Sequence, residues 1–69
     1  MSRLDLLGKN IKKYRKAKGL KQSELALELD CTYEFISKVE NGKRYLSLRK
    51  LFELADILEV DVKNLMNFK

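Results

Sequence analysis

Proline, histidine and tryptophan are absent from these 69 residues, cysteine occurs once and glycine three times. Without an imidazole there is no Cys-His or Ser-His nucleophile pair, so no enzyme activity is expected. One cysteine and no histidine leave a zinc site without ligands, and neither a metal nor another cofactor is expected. The glycines are scattered, not gathered into a loop that could cradle phosphate. Cys31 alone cannot form an internal disulfide, which points to a reducing, cytoplasmic setting. No apolar run approaches the ~18 residues of a membrane-spanning helix, so no membrane partner is expected. The opening MSRLDLLGKN lacks the apolar core of a signal peptide. Nothing resembles a linker, repeat or low-complexity segment, and residues 1–69 are expected to form a single domain.

What is present is charge, unevenly placed. The net charge of +5 favours a polyanionic partner only weakly, but its distribution says more. Residues 1–21 hold eight basic side chains against Asp5, whereas residues 22–36 hold four acidic ones and no basic one. Residues 37–50 return to five basic side chains against Glu40. An acidic stretch lies between two basic ones, a pattern compatible with phosphate-contacting rims around a reading element. A solvated lysine-rich helix face is the plainer explanation of the same charges.

Apolar periodicity predicts an all-α fold of five helices. The first runs from about Leu4 to Lys18, with Leu7, Ile11 and Tyr14 on one face and Gly19 closing it. The second covers about Gln22 to Leu29. The third begins near Thr32, whose hydroxyl can cap it, and ends by Asn41-Gly42. The fourth follows Ser47, another cap candidate, and carries Leu48, Leu51, Phe52, Ala55 and Leu58. The fifth is short, with Asp61 as cap and Val62, Leu65 and Met66 on its apolar side.

The second and third helices, joined by a tight turn, have the pattern of a helix-turn-helix. Leu25, Leu29, Cys31, Ile36 and Val39 form the wedge between them, and the small Ala26 lets them approach. Asp30 falls where a left-handed residue is often needed, and aspartate tolerates that conformation better than most. Thr32, Tyr33, Glu34, Ser37 and Lys38 are left facing outward, as on a helix that reads the DNA major groove.

With that spacing laid out, the chain closely resembles the phage-repressor and Cro-like helix-turn-helix regulators of the XRE class. The matching elements are Leu7-Gly8, Ile11 and Arg15, then Gly19-Leu20-Lys21-Gln22 with Glu24-Leu25-Ala26. They continue with Ile36 to Arg44 (ISKVENGKR), then Leu51, Leu54-Ala55, Leu58-Glu59-Val60 and Leu65. The resemblance implies a compact five-helix repressor-like domain that binds operator DNA, commonly as a symmetric homodimer. It implies base contacts from Thr32, Tyr33, Glu34, Ser37 and Lys38, and phosphate contacts from Lys21, Gln22, Asn41, Lys43 and Arg44. It also implies a buried salt bridge between Arg15 and Glu40. The face lacks the glutamines of some phage repressors, so their operator preferences do not transfer.

Leu65, Met66 and Phe68 follow the fourth helix closely, and few core positions remain for all of them, so they are expected at a dimer interface. Double-stranded DNA and a second copy are the expected partners, with no small-molecule effector. Small regulators of this shape include phage repressors and the controller proteins of restriction-modification systems. A second reading on the same fold is an antitoxin-like protein-interaction module with secondary DNA binding.

Overall fold

The computed structural model describes residues 1–68, which contain α1 (Arg3–Ala17), α2 (Gln22–Glu28), α3 (Tyr33–Glu40), α4 (Leu48–Leu58) and α5 (Val62–Leu65) and no strand. Local chemistry accounts for most boundaries. Ser2, which the periodicity left outside α1, caps it: its hydroxyl accepts from the Asp5 N–H at 3.1 Å, and its own N–H donates to the Asp5 carboxylate at 3.1 Å. The Ser2 hydroxyl also donates to the Asp5 carboxylate at 2.9 Å, and this bond, together with that from the Ser2 N–H, holds the Asp5 carboxyl below its ordinary value of 3.8. A depressed carboxylate pKa stabilises the fold above that value, and the contribution is lost as the pH falls through the folded-state pKa. Thr32 and Ser47 cap α3 and α4 through their hydroxyls, accepting from the N–H of Phe35 at 3.0 Å and of Lys50 at 3.1 Å. Asp61 occupies the N-cap position of α5, but its side chain makes no capping bond there.

The first four helices all stop on a left-handed residue: Gly19, Asp30, Gly42 and Glu59. In each case the following N–H reaches back to a carbonyl five residues earlier, as Leu20 does to Arg15 and Cys31 to Ala26. Two of the four are not glycine. Asp30, at φ 56°, bears the strain expected of it and is exposed, so its side chain offsets little of the cost. Asp30→Gly should therefore raise unfolding stability by about 0.5–1 kcal/mol, part of the relief being offset by glycine's freedom in the unfolded chain. Urea titration would read this as a higher midpoint at unchanged slope; an unchanged or lower midpoint would show that the turn is not strained.

The core is one cluster, with Ile11, Leu25, Leu29, Ile36, Leu54 and Leu65 its most deeply buried large side chains. Helix α3 packs against both α1 and α2, while α5 closes the bundle against α1 and α4. Every wedge position is inside except Cys31, which is half-buried against the core rather than enclosed. Burial still pushes its thiol pKa up. The apolar face expected of α4 is only partly a core face. Leu51, Ala55 and Leu58 are buried together with Leu54, but Leu48 and Phe52 stand 69% and 53% exposed.

Gly8 has a role that periodicity could not assign. A Cβ at this position would lie 2.5 Å from the carbonyl oxygens of both Val39 and Glu40. Helix α1 therefore meets the end of α3 backbone to backbone, and only glycine permits it.

Candidate nucleic-acid interface

The site is built around the end of α3. Glu40 is buried, as is Arg15 on α1, and the two form a bidentate pair. Arg15 Nε donates to Glu40 Oε2 at 2.6 Å and Nη2 donates to Oε1 at 3.0 Å. Arg15 Nη1 also donates to the Leu20 carbonyl at 2.8 Å, fixing the connection into α2. Gln22, the first residue of α2, completes the network by donating from Nε2 to Glu40 Oε1 at 2.9 Å. No buried side-chain nitrogen or oxygen among the described residues is left without a partner. A low-dielectric ion pair with its hydrogen bonds satisfied in this way holds a single geometry.

Other bonds brace the same unit. Lys50 Nζ donates to the Leu29 carbonyl at 2.7 Å, tying α4 to the last turn of α2 beside the Asp30 corner. Asn10 Nδ2 donates to the carbonyls of Leu65 and Asn67, both at 2.8 Å, and so holds α5 against α1. Neither residue stood out in the sequence, because a lysine or asparagine between apolar positions reads as surface.

Thr32, Tyr33, Glu34 and Lys38 lie exposed along α3, and Ser37 is half-buried among them. The five positions share one helix and are brought together. Thr32 spends its oxygen on the Phe35 N–H, but its hydroxyl hydrogen and methyl group stay available. Lys21, Asn41, Lys43 and Arg44 are also exposed. Arg44 is held in place, its guanidinium 5.3 Å from the centre of the Phe35 ring. Gln22 differs from the other phosphate candidates in being half-buried with one amide hydrogen already committed to Glu40. An open groove of about 460 Å³ runs beside it, lined by Lys12, Arg15, Lys21, Gln22, Ser23 and Tyr33. Lys12 and Ser23 were not singled out by spacing.

Of the expected dimer surface only Met66 and Phe68 come together, lining one groove of about 270 Å³ with Leu4, Leu7 and Tyr45. Leu65 is 0% exposed and belongs to the core, since the short α5 folds back onto α1 and α4. Phe68 is half-buried against the same core, leaving Met66 as the exposed member of the three. Besides Tyr33 on α3, the large apolar side chains standing outside among the described residues are Leu27, Tyr45, Leu48, Phe52, Met66 and Met1.

A short helix wedged on a second one, its outer face polar and its rim basic, defines a helix-turn-helix module. The chain belongs to the helix-turn-helix family: the family's sequence profile matches residues 11–65. Within that family it is an XRE-class domain. It is 38% identical over 56 residues to the ImmF control region 10 kDa protein of Bacillus phage phi105, covering 81% of this chain and 62% of that one. With SinR of Bacillus licheniformis it shares 35% identity over 65 residues, covering 93% of this chain and 59% of that regulator. The chain thus spans 62% and 59% of the lengths of these two relatives. Among solved structures it resembles the restriction-modification controller protein C.AhdI from Aeromonas hydrophila. That match has a TM-score of 0.85 and 32% identity, and covers 90% of this chain and 94% of the controller.

Proposed function

We propose that this protein is a sequence-specific, DNA-binding transcriptional regulator that binds a palindromic operator as a homodimer, with α3 in the major groove. The observation that carries this reading is the exposed face of α3, held rigid at its end by the Arg15–Glu40 pair and flanked by Lys21, Lys43 and Arg44. Its relatives support the reading, since SinR has been solved in complex with DNA and resembles this chain with a TM-score of 0.80 and 34% identity, over 88% of this chain and 98% of that one.

The chemistry of each side chain then follows. Lys38 donates to guanine O6 or N7, and Glu34 accepts from the cytosine amine. Thr32 offers a methyl for thymine and a hydroxyl hydrogen for a phosphate, and Tyr33 lies where α3 meets the groove beside α2. Lys21, Asn41, Lys43 and Arg44 hold the backbone and carry no sequence information of their own.

Two substitutions separate these roles. Lys38→Ala should cost about 1–3 kcal/mol at one base position of the operator and relax preference there. Lys43→Ala should weaken binding to all duplexes alike and reduce the slope of log affinity against log salt by about one. Fluorescence anisotropy over a salt series measures both. Uniform losses at Lys38 would remove it from the base-reading set.

For pairing with a second copy, the apolar residues outside the core are the resource, chiefly Leu48 and Phe52, one turn apart on α4, with Tyr45 and Met66. An isologous pairing would set two α3 helices about 34–36 Å apart along the DNA, one helical turn. Phe52→Asp, at an exposed site, should keep the helical circular dichroism while sedimentation shifts towards monomer and the thermal midpoint loses its dependence on protein concentration. Unaltered self-association would place the interface elsewhere.

A further inference from the structure

We propose that Glu40 is a positioning residue for DNA backbone recognition, its carboxylate fixing the Gln22 amide so that a DNA phosphate can bind in the groove beside it. This inference rests on the DNA-binding reading above and adds a role for a buried group that touches no DNA. An amide nitrogen carries two hydrogens. In Gln22 one of them is given to Glu40 Oε1 at 2.9 Å. The second hydrogen of the same nitrogen remains, on a residue that lines the groove together with Lys12, Lys21, Ser23 and Tyr33. Lys12 and Lys21 are exposed there, one from α1 and one from the start of α2, and supply the positive charge an anion needs.

Residue type supports the assignment. A glutamate at position 22 would face both the Glu40 carboxylate and the incoming phosphate with like charge. A lysine would compete with Arg15 for Glu40. A neutral amide donates to two anions at once, one buried and one arriving, and brings no charge of its own. Glu40 is free to serve because Arg15 already neutralises it through two bonds of 2.6 and 3.0 Å. The ion pair that anchors α3 thereby also sets the rotamer of a backbone contact on α2. Glu40 acts through Gln22, and its effect on DNA is the same whatever the base sequence.

The test uses the full chain and a labelled mixed-sequence duplex, since a phosphate contact needs no operator. Affinities of wild type, Gln22→Ala, Glu40→Gln and the double variant are measured over a salt series, at a temperature where circular dichroism shows each one folded. Gln22→Ala should bind about tenfold more weakly with an unchanged salt slope, because a neutral donor displaces no counterion. Glu40→Gln should weaken wild type several-fold and cost distinctly less in the Gln22→Ala background, where only its anchoring of α3 is still lost. Equal losses in both backgrounds, or wild-type affinity for Gln22→Ala, would overturn the proposal.

Should Glu40→Gln fail to fold, nitrogen-15 spectra of the wild-type Gln22 side chain decide the matter. Two amide protons of which duplex DNA moves one much more than the other support the bridge. A pair indifferent to DNA, or moved equally by it, overturns it. A wild-type chain that binds no duplex at any salt concentration brings down the DNA-binding reading itself, a result distinct from an additive cycle.

Discussion

Glu40→Ala should unfold this protein or bring it close to unfolding. Among the described residues the substitution removes the only acidic partner of Arg15, whose side chain is 8% exposed. A guanidinium cannot shed its proton to escape burial, so the charge is left stranded. Breaking one side of such a pair costs about 3–5 kcal/mol. A chain of 69 residues has a total stability of only about 3–10 kcal/mol to lose. With each kcal/mol worth roughly 4–8 °C in a domain of this size, the melting temperature should fall by more than about 12 °C. Gln22 loses its acceptor in the same step, which adds to the loss. The companion experiment replaces both charges, as Arg15→Met with Glu40→Leu. If the cost of Glu40→Ala comes from a stranded charge, this double variant should recover most of the stability. Calorimetry of the three proteins checks it. A small, additive effect at both sites would show that the pair is not the anchor.

Gly8→Ala is expected to rank next, and its sign runs against helix propensity. In the middle of an exposed helix, alanine would stabilise by nearly 1 kcal/mol over glycine. Here the new methyl would sit 2.5 Å from two backbone carbonyl oxygens at the end of α3, neither of which can rotate away as a side chain would. Helix α1 must lift, and the displacement falls on the Arg15–Glu40 pair seven residues along the same helix. Overpacking of this kind costs about 1–3 kcal/mol, and the unyielding neighbours place this site at the upper end. A net loss of about 2 kcal/mol should appear in urea unfolding, along with weaker DNA binding because the end of α3 shifts. A gain in stability would mean that α1 and α3 are not in backbone contact.

These two sites were unequally legible in the sequence. Arg15 and Glu40 were identified through the family pattern, because an arginine at one fixed spacing and a glutamate before Asn-Gly form a paired signature. Gly8 lay inside the same pattern but carried no reason, since close approach of two helices far apart in sequence leaves no periodic trace. Five helices and the wedge between α2 and α3 followed from apolar spacing, for local reasons: Thr32 and Ser47 cap, and Asp30 turns. What spacing misjudged was how tertiary packing shares out apolar residues. Leu65 reads as surplus when four helices are taken to fill the core, yet α5 folds back and Leu65 becomes one of its most buried side chains. Leu48 and Phe52 fall by period among the apolar residues of α4 but stand outside, whereas Leu54, which the period did not mark, is buried. The amide of Gln22 reads as a free phosphate donor, whereas half of it already belongs to Glu40. Long-range polar ties such as Lys50 to Leu29 and Asn10 to Leu65 have no signal in a single sequence at all.

The measurement that bears most directly on the central claim is selection of bound sequences from a pool of random duplexes by the 69-residue chain. If α3 reads bases from a symmetric pair of subunits, the pool should converge on an inverted repeat with half-site centres about 10 base pairs apart. One position of each half-site should lose its preference in Lys38→Ala. Selection that converges on no sequence, with binding that simply weakens as salt rises, would contradict sequence reading by α3.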